Sequence, residues 1–329
     1  MDFDFSDDQE QLRDAVRKWV DKGYTFDRRR EITHAGGFDR AAYTELAELG
    51  LCGLYVSEDQ GGMGMGPVEG MVVMEELGRG IVLEPMQHAF IAGAVLEGYA
   101  PDALKAAWLP KIAGGEAIVV LAHQERKSRY NTHKCDAQAQ QQDGQWLISG
   151  TKSMVAVGDH ADAFLVPAMA SGKLALFLVA KGAKGCTTSG YGTQDGGRAA
   201  ELQLNQSPAS LLTLDGQTAL SHAVDIGIAC ACAEGVGVMD KTMAITVDYM
   251  NTRKQFNTTI ATFQALRHRV ADMKMQLELG RSMSYYASLK LNAPAPERHQ
   301  AMARAKYQLG NSMRYVGQQS VQLHGGIGV

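Results

Sequence analysis

Residues 223–249 read AVDIGIACACAEGVGVMDKTMAITVDY and contain no proline. Alanine, isoleucine, valine and methionine dominate this run, and its apolar residues cover most sides of a helix with 3.6 residues per turn. A helix of this kind is buried inside a bundle or at an interface. The run therefore predicts a long core helix and places a helical bundle in the C-terminal part of the chain.

The patterns on both sides of this run divide the chain into three parts. Two more helical patterns follow it, at residues 263–291 and 299–323, and Pro294 and Pro296 separate them. Before it, the period changes to short apolar or alternating runs, which predict β-strands. These runs cover residues 118–121, 146–148, 164–166 and 174–179.

The first part of the chain returns to helical spacing. Ser6, followed by Asp7 and Asp8, is an N-cap signal for the first helix. The sequence thus predicts an α+β protein with three domains. They are an N-terminal helical domain over residues 1–118, a β-barrel or β-sandwich domain over 119–221, and a C-terminal four-helix bundle over 222–329 whose last part is expected to be missing.

Composition and charge exclude several classes of function. The formal net charge of −4 offers no excess of lysine and arginine, so a nucleic-acid partner is not expected. No stretch approaches the roughly 20 apolar residues of a transmembrane helix, so no membrane partner is expected either. The N-terminus is acidic and lacks the basic and apolar segments of a secretory signal.

The 5 cysteines are scattered along the chain. Cys230 and Cys232 form a C-x-C pair with no second pair to complete a metal site, and His160 has no second histidine at ligand spacing. We expect free thiols, no bound metal and a cytoplasmic location.

The most specific motifs lie in the C-terminal part. Residues 253–256 read RKQF, residues 263–265 read FQA, and residues 322–328 read QLHGGIG. An arginine offers a planar fork of donors that suits a diphosphate, and Gln264 and Gln322 add neutral donors. Glycine lets backbone approach a ligand where a Cβ atom would clash. Each residue alone could be an ordinary surface or helix-end group, but the ordered set at these separations is specific to a family of proteins.

Three earlier segments complete the pattern. They are LGLCGLYVSE at residues 49–58 with GGMG at 61–64 and EELGR at 75–79, then AHQE at 122–125, then WLISGTK at 146–152. In this order, and together with the C-terminal motifs, they resemble the acyl-CoA dehydrogenase family over nearly the whole chain.

The resemblance implies FAD as cofactor and an acyl-CoA thioester as substrate. The implied cofactor-binding residues are Arg253, Gln255, Phe256, Gln264, Gln322, Gly325, Gly326, His123, Gln124, Met154 and Ala156. The implied substrate-pocket residues are Arg129 and Tyr130. The glycine-rich loop at 61–64 is expected to shape the floor of the acyl pocket rather than to hold phosphate.

This chain also departs from the family pattern. It keeps Glu125 but replaces the threonine and proline that usually flank this glutamate. Met154 and Ala156 stand where the family commonly places a tryptophan over the flavin and a threonine near flavin N5. These replacements favour an unusual member of the family.

In the implied reaction, a glutamate removes the α-proton while the β-hydride moves to flavin N5, and an electron-transfer flavoprotein then receives the electrons. The family's base most often follows the Gly-Gly pair by some two dozen residues, beyond Val329. Some members carry it on the long helix, where this chain has Gly227. Asp225 and Glu234 lie nearby but do not align, and each is expected to be structural. No catalytic residue is therefore assigned.

Several interpretations stay open. The motifs resemble the small subunits of pimeloyl-CoA dehydrogenases and the heteromeric steroid side-chain dehydrogenases, in which unlike subunits complete a site. The alternatives are a truncated form of a self-sufficient homomeric enzyme and a flavin-free scaffold subunit; truncation is also compatible with the heteromeric interpretation. A flavin monooxygenase or oxidase shares the fold, and fold alone does not decide function.

The resemblance also predicts how the chain assembles. In the family, one FAD touches the β-region residues of one chain and the C-terminal residues of another. We therefore expect a second dehydrogenase-like chain, or a second copy of this one, bound through the C-terminal bundle over more than about 2,000 Å².

Overall fold

The computed structural model describes residues 5–128 and 130–329 of the chain. The α-helices are α1 Asp7–Gly23, α2 Phe26–Ala35, α3 Arg40–Glu48, α4 Pro67–Gly80, α5 Met86–Tyr99, α6 Asp102–Ala113, α7 Gly216–Thr252, α8 Gln264–Lys290 and α9 Ala295–His324. The strands are β1 Val119–Leu121, β2 Gln138–Gln142, β3 Gln145–Ala156, β4 Ala163–Ala170, β5 Lys173–Ala180, β6 Cys186–Gly192, β7 Arg198–Thr213, β8 Lys254–Gln255 and β9 Thr258–Thr259. The predicted order of helical, β and helical regions is confirmed.

The first helix begins where the sequence predicts it. The Ser6 hydroxyl accepts a hydrogen bond from the backbone N–H of Gln9, and the Gln9 side chain accepts one from the N–H of Ser6. This capping box satisfies N–H groups that the first helical turn leaves without partners. Val16 and Val20 then form the buried face of α1.

The described chain forms two compact units that do not follow the sequence order. The first, which we call the helical unit, contains the described residues up to Thr25, residues 67–82 and residues 228–329. The second, which we call the barrel unit, contains residues 26–66 and 83–227. The three predicted domain boundaries stay a prediction, because this division separates segments by packing rather than by element type.

Five strands of the barrel unit close into a ring. Strand β4 pairs with β2, β2 with β3, β3 with β7, β7 with β5, and β5 pairs again with β4. Strand β1 adds to β4 in parallel, and β6 adds to β7. A closed ring leaves no edge among its members, so the β region is a small barrel rather than a sandwich. Its interior holds apolar side chains such as Phe164, Phe177 and Ile148, each fully buried.

The helical unit depends on close backbone approach. A Cβ atom at Gly78 of α4 would lie 2.2 Å from the Glu234 carbonyl oxygen, and one at Gly237 of α7 would lie 1.9 Å from the Glu75 carbonyl oxygen. Only glycine fits at either position. Helix α7 also contacts α9, since a Cβ atom at Gly235 would meet Leu309 and Met313.

The C-terminal region contributes three long helices among its described residues, α7, α8 and α9. The sequence predicts four helices there. A bundle of four in this region stays a prediction.

Helix α7 corrects one expectation. Among the described residues it alone is long and apolar enough to cross a membrane, with a mean hydropathy of 1.4 over its most apolar window. Of that window, 61% is buried within the protein. The sequence pattern predicted no stretch of membrane-spanning length, because alanine, glycine and cysteine residues lie among the larger apolar residues of this run. The run nevertheless contains few charged residues. A buried core helix passes the same test of length and composition, as predicted for residues 223–249.

Candidate functional site

A buried ion pair lies at the centre of the predicted flavin-lining segments of the barrel unit. Lys152 on β3 is completely buried, and its Nζ donates to Glu125 Oε1 at 2.6 Å. Glu125 follows β1 and is 6% exposed. Burial raises the pKa of Glu125, but the Lys152 charge and hydrogen bonds to the carboxylate outweigh it, so the pKa is lowered below its usual value. Glu125 is therefore an ionised anchor rather than a proton acceptor at neutral pH.

Three more donors converge on the same carboxylate. The backbone N–H of Asp136 donates at 2.6 Å, that of Ala137 donates at 3.2 Å, and the Cys135 thiol lies at 3.4 Å. The carboxylate thus joins the two ends of the segment between Gln124 and β2. Its function is to fix the start and end of the loop that residues 125–137 form.

The predicted flavin contacts Met154 and Ala156 lie at an irregularity of β3. The pairing of β3 with β7 shifts register between Lys152 and Val155. Met154 has a φ of 53°, uncommon for a residue with a Cβ atom, and its side chain is 61% exposed. Bulges and strained backbone often lie next to functional sites, where they aim a side chain.

The second predicted segment, His123 and Gln124, lies against this bulge. The backbone N–H of Ser153 donates to the Gln124 carbonyl at 2.9 Å. The Ser153 hydroxyl also donates to Glu201 on β7 at 2.8 Å. The structure therefore brings His123, Gln124, Met154 and Ala156 together on one side of the barrel unit.

Two neutral histidines lie beside this segment. Burial lowers the pKa of His88 on α5 to about 4, and the neighbouring His123 adds to the effect. Burial, with the Lys152 charge, lowers the pKa of His123 to about 4 as well. The Nδ1 atom of His88 accepts from the Leu121 N–H at 3.2 Å, which places its proton on Nε2. Both rings are neutral near pH 7.

Of the two predicted substrate-pocket residues, Tyr130 is 99% exposed. Arg129 lies outside the described residues. Their predicted role stays a prediction.

The glycine-rich loop has its backbone donors occupied. The N–H groups of Met63, Gly64 and Met65 donate to the carbonyls of Gly53, Val56 and Leu54 respectively. A Cβ atom at Gly62 would lie 2.1 Å from the Val56 carbonyl oxygen. These glycines are required by the loop's own packing, and the loop has no free cradle of N–H groups for phosphate.

The predicted C-terminal contacts gather at one end of the helical unit. Arg253 follows α7 directly and leads into the β8–β9 hairpin, whose turn residues Phe256 and Asn257 have φ values of 53° and 61°. Phe256 is 88% exposed, and its ring meets that of Phe263 edge to face at 6.1 Å. Gln255 is exposed on the same hairpin.

The end of α9 lies against the end of α7. The rings of Tyr249 and His324 stack at 4.4 Å, and the Tyr249 hydroxyl donates to the His324 carbonyl at 3.3 Å. This contact places Gln322, Gly325 and Gly326 close to the last turn of α7. Gln264 begins α8, after a short 3₁₀ turn, Ile260–Thr262, that follows the hairpin. The structure therefore brings this second set of predicted residues together as well.

The side-chain donors of this second set have no partner among the described residues. Over residues 5–128 and 130–329, Arg253 has no carboxylate within ion-pair distance, and the side-chain amides of Gln264 and Gln322 make no hydrogen bond. Gly325 has a φ of 62°, and a Cβ atom added at Gly325 or Gly326 would meet no protein atom within 4 Å.

The chemistry of these side-chain donors matches the groups of FAD that a protein must bind. A free guanidinium, two free amides and an open glycine backbone match the diphosphate and adenine of a dinucleotide. Gly325 is required by its φ of 62° at the end of α9, whereas neither backbone conformation nor packing requires Gly326, which a ligand close to the backbone would explain. The residues present therefore fit the cofactor.

Sequence reasoning missed several residues of the barrel-unit site. His88 and the backbone of Asp136 and Ala137 carried no motif that could reveal their contacts. Glu125 and Lys152 stood in separate motifs, and nothing in the sequence joined them as a pair. His160, the weak metal candidate, lies against the Phe38 ring with centroids 4.9 Å apart, and no metal-binding group of histidine, cysteine, aspartate or glutamate occurs in the part of the chain that the structure describes.

Comparison with known proteins identifies the same pattern. Residues 6–116 match the model of the acyl-CoA dehydrogenase N-terminal domain, and residues 215–329 match that of the acyl-CoA dehydrogenase C-terminal domain. Acyl-CoA dehydrogenase FadE12 of Mycobacterium tuberculosis is 29% identical over 348 residues, which cover 98% of this chain and 87% of the relative.

Two solved structures are also similar. The Tcur3481-Tcur3483 steroid ACAD G363A variant is 27% identical with a TM-score of 0.90 and covers 98% of this chain and 88% of that one. The ChsE4-ChsE5 complex from Mycobacterium tuberculosis is 26% identical with a TM-score of 0.89 and covers 100% of this chain and 89% of that one.

Proposed function

The chain belongs to the acyl-CoA dehydrogenase family and is an FAD-dependent acyl-CoA oxidoreductase, and we propose that it works as the small subunit of a heteromeric enzyme. A second acyl-CoA dehydrogenase-like chain supplies the glutamate base in this proposal. The substrate is a thioester of the dicarboxylyl-CoA or steroid side-chain-CoA type, and an electron-transfer flavoprotein accepts the electrons in the cytoplasm.

One observation carries the proposal: the chain has residues that fit FAD but no carboxylate at the position on α7 where some relatives carry the base. That position is Gly227, and a Cβ atom there would meet only Ile91 Cδ1, at 3.5 Å. The absence of a carboxylate is therefore not forced by packing. The replacements at Met154 and Ala156 also support the small-subunit proposal, because they alter the side chains expected over the flavin.

The relatives support a partner of unlike sequence. The ChsE4-ChsE5 structure is a complex of two differently named chains, and the Tcur3481-Tcur3483 structure pairs two names as a steroid ACAD. The proposal extends that arrangement to this chain. It also keeps a four-helix bundle as the expected C-terminal architecture.

The chain's own residues would bind and orient rather than transfer protons. FAD, when bound, supplies the acceptor for the hydride that leaves the acyl chain. Arg253 would hold the diphosphate with charge-assisted hydrogen bonds, and Gln264 and Gln322 would donate to neighbouring oxygens. The Glu125–Lys152 pair fixes the loop that positions Gln124 beside the bulge at Met154. Neutral His123 can donate or accept one hydrogen bond there without adding charge.

Co-expression tests the subunit assignment. The chain is expressed alone and together with an acyl-CoA dehydrogenase-like chain that retains the glutamate. We expect the pair to purify as a heteromer with bound flavin and to reduce a ferrocenium acceptor with acyl-CoA. The chain alone should be slower by about 10²–10⁴, the usual contribution of a general base. Full activity of the isolated chain, or a monomer that holds FAD in light scattering, would contradict the proposal.

The same samples distinguish the other interpretations. Activity of a homo-oligomer once the chain is extended by the C-terminal segment of a homologous enzyme would support a self-sufficient homomeric enzyme. A heteromer in which this chain's predicted FAD residues can be replaced without loss of flavin would indicate a scaffold subunit.

A further inference from the structure

The end of strand β3 is strained in two places. Met154 has a φ of 53° and Val157 a φ of 42°, both in the left-handed region. Residues with a Cβ atom seldom occupy this region, and a β-branched residue such as Val157 is an outlier there. Val157 is also buried, at 2% exposure. Strain of this kind persists only where the surrounding structure fixes it, so the contacts of this segment identify what holds it.

The neighbouring strand β7 meets this segment at a bulge. The register of β3 against β7 shifts between Lys152 and Val155, whose partners on β7 are two positions apart. Ser153 and Met154 therefore stand opposite a single residue of β7, Glu201. Such a bulge bends the strand and changes the direction of its side chains.

Glu201 holds the first half of the bulge. Its Oε2 accepts the Ser153 hydroxyl at 2.8 Å, and the Ser153 N–H donates to the Gln124 carbonyl at 2.9 Å. Burial raises the pKa of Tyr191 on β6, the Glu201 charge adds to this rise, and a hydrogen bond with the Met154 backbone opposes it. The Glu201 carboxylate is thus connected to both residues of the bulge, to Ser153 directly and to Met154 through Tyr191.

Arg198 holds the other end of the strained segment. Its carbonyl accepts the Val157 N–H at 2.9 Å. Its guanidinium pairs with Asp159 in the turn that follows Val157, with Nε donating to Oδ2 at 2.6 Å, and it also donates to the Gly36 carbonyl at 3.2 Å. The Arg198 and Asp159 side chains are only 24% and 15% exposed, so solvent screens this ion pair less than a surface pair.

The anchors lie beside the predicted flavin contact Ala156. Ala156 pairs with Ala199 of β7, and Ala199 pairs with Tyr191 of β6. Directly paired residues share a face of a sheet, and so do alternate residues of one strand. Glu201, Ala199, Tyr191 and Ala156 therefore lie on one face. A strand without the bulge could pair with β7 without strain, so these contacts serve the direction of side chains rather than the sheet itself.

We propose that Arg198 and Glu201 are positioning residues, which hold residues 154–157 in the strained conformation that presents Met154 and Ala156 to the flavin. This inference rests on the proposed function, because the segment needs this conformation only in a subunit that binds FAD. It assigns a role to two residues of β7 that carry no predicted contact with cofactor or substrate.

The experiment measures the Kd of FAD and the visible absorption spectrum of the bound flavin, in the protein with its partner chain where one co-purifies. Glu201→Leu removes the acceptor of the Ser153 hydroxyl, whereas Glu201→Gln keeps an amide oxygen there. The matched control is Glu97→Leu, because Glu97 accepts the Ser57 hydroxyl at 2.6 Å elsewhere in the barrel unit.

We expect Glu201→Leu to weaken FAD binding about tenfold and to change the spectrum, since a hydrogen bond to a charged group contributes about one to two factors of ten. Glu201→Gln and Glu97→Leu should stay within about twofold of the native Kd, because the first keeps the contact and the second acts elsewhere.

The Arg198 anchor has its own pair of variants. Arg198→Met should also weaken FAD binding and change the spectrum, because Asp159 then loses its cation. Arg28→Met is the control, since Arg28 pairs with Glu45 at 2.8 Å and is similarly buried in the same unit. Equal FAD affinity in Arg198→Met and Arg28→Met would contradict the role of Arg198.

A glycine at position 154 separates positioning from a general loss of stability. Glycine adopts a φ of 53° without strain. In a Met154→Gly background, Glu201→Leu should therefore weaken FAD binding by only about twofold, because the anchor is no longer needed to hold the backbone. A tenfold loss in both backgrounds would overturn the assignment of Glu201.

The remaining outcomes distinguish this inference from the proposed function. Native FAD affinity and spectrum in Glu201→Leu would overturn the inference alone. A native protein that binds no FAD, with or without a partner chain, would refute the proposed function and this inference with it. Ser153→Ala removes the same hydrogen bond by a smaller change, so it replaces Glu201→Leu if that variant fails to fold. An unchanged Kd and spectrum in Ser153→Ala would then overturn the inference.

Discussion

The two units of the chain carry their predicted cofactor residues in opposite ways. In the barrel unit, the residues around the flavin-lining segment are tied to one another: Lys152, Glu125 and the amides of the loop satisfy each other in a buried place. In the helical unit, Arg253, Gln322 and the glycine pair are exposed, and the side chains of Arg253 and Gln322 form no ion pair or hydrogen bond within the described residues. The first group can hold its geometry alone, whereas the second acquires partners only from a ligand or another chain. Folding stability should therefore depend on the first group, and cofactor retention on the second.

The strongest test of this comparison removes the buried ammonium. We expect Lys152→Met to lower the free energy of unfolding by about 3–5 kcal/mol, because it leaves the Glu125 carboxylate buried without its cation. Urea unfolding measures the effect. Glu125→Gln/Lys152→Met should regain more than about 1 kcal/mol over the single variant, since no charge then remains to be buried.

An exposed pair of equal length provides the control. Lys274 Nζ and Glu278 Oε1 are also 2.6 Å apart, but both side chains are about half exposed. Lys274→Met should change stability by less than about 1 kcal/mol. Equal losses in Lys152→Met and Lys274→Met would show that burial does not distinguish the two ion pairs.

The second test uses pH. The pKa of His88 is lowered from 6.5 to about 4 by burial. Between these two pH values His88 is therefore protonated in the unfolded chain and neutral in the folded chain. Stability should therefore fall as pH decreases from 6.5 towards 4, by about 3 kcal/mol for this histidine. Glu125 acts at the lower end of that window and below it, because its lowered pKa removes stability only as pH falls below its ordinary value of 4.5.

The variant His88→Asn separates these contributions. An asparagine oxygen can still accept the Leu121 N–H, but it does not titrate. Urea unfolding across this pH range should give a shallower slope for His88→Asn than for the native chain, with the remaining slope due to His123. Identical slopes would contradict the assignment of a neutral, buried His88.

The third test moves to the helical unit. Arg253→Ala should weaken FAD retention at least about tenfold, because a charge-assisted hydrogen bond contributes about 1.5–3 kcal/mol. Unfolding of the apoprotein should hardly change, since the guanidinium has no ion-pair partner within the described residues. Flavin content after gel filtration measures the first effect. Arg314→Ala, at another exposed arginine of this unit, should keep its flavin, and a stoichiometric flavin content in Arg253→Ala would remove the residue from the site.

The smallest expected effect is at Gly326. Because an added Cβ atom there meets no protein atom within 4 Å, Gly326→Ala should change the free energy of unfolding by less than about 0.5 kcal/mol. It should still weaken FAD binding about threefold if the ligand approaches the backbone closely. Thermal unfolding and a flavin titration of the same sample decide the matter. A variant with lower stability and unchanged flavin affinity would show that the glycine serves packing.

The sequence predicted what depends on local pattern. The apolar run at 223–249 became the core of α7, and Ser6 became a cap, because helix period and capping need only neighbouring residues. The predicted β runs at 146–148 and 174–179 lie within β3 and β5 for the same reason.

The rest depended on contacts between distant residues. The barrel closes because β4 pairs with β2 and β5, which no period reveals. The strain at Met154 arises from a register shift against β7, and the contact of His88 with the N–H of Leu121 joins a helix to a strand. Side-chain patterns record which residues are buried, but not which buried residues meet.

The glycine crossing of α4 and α7 has a consequence for synthesis. Arg79 and Asp240, which form an ion pair beside this crossing, are separated by 161 positions, with most of the barrel unit between them. At about 5–20 residues per second on the ribosome, α4 waits roughly 8–32 s for its partner helix. During that time α4, whose Met71, Val72, Val73, Met74 and Leu77 are buried in the finished protein, packs on α1 but lacks the contacts that α7 and α8 add. The nascent chain should therefore be a chaperone client until α7 emerges.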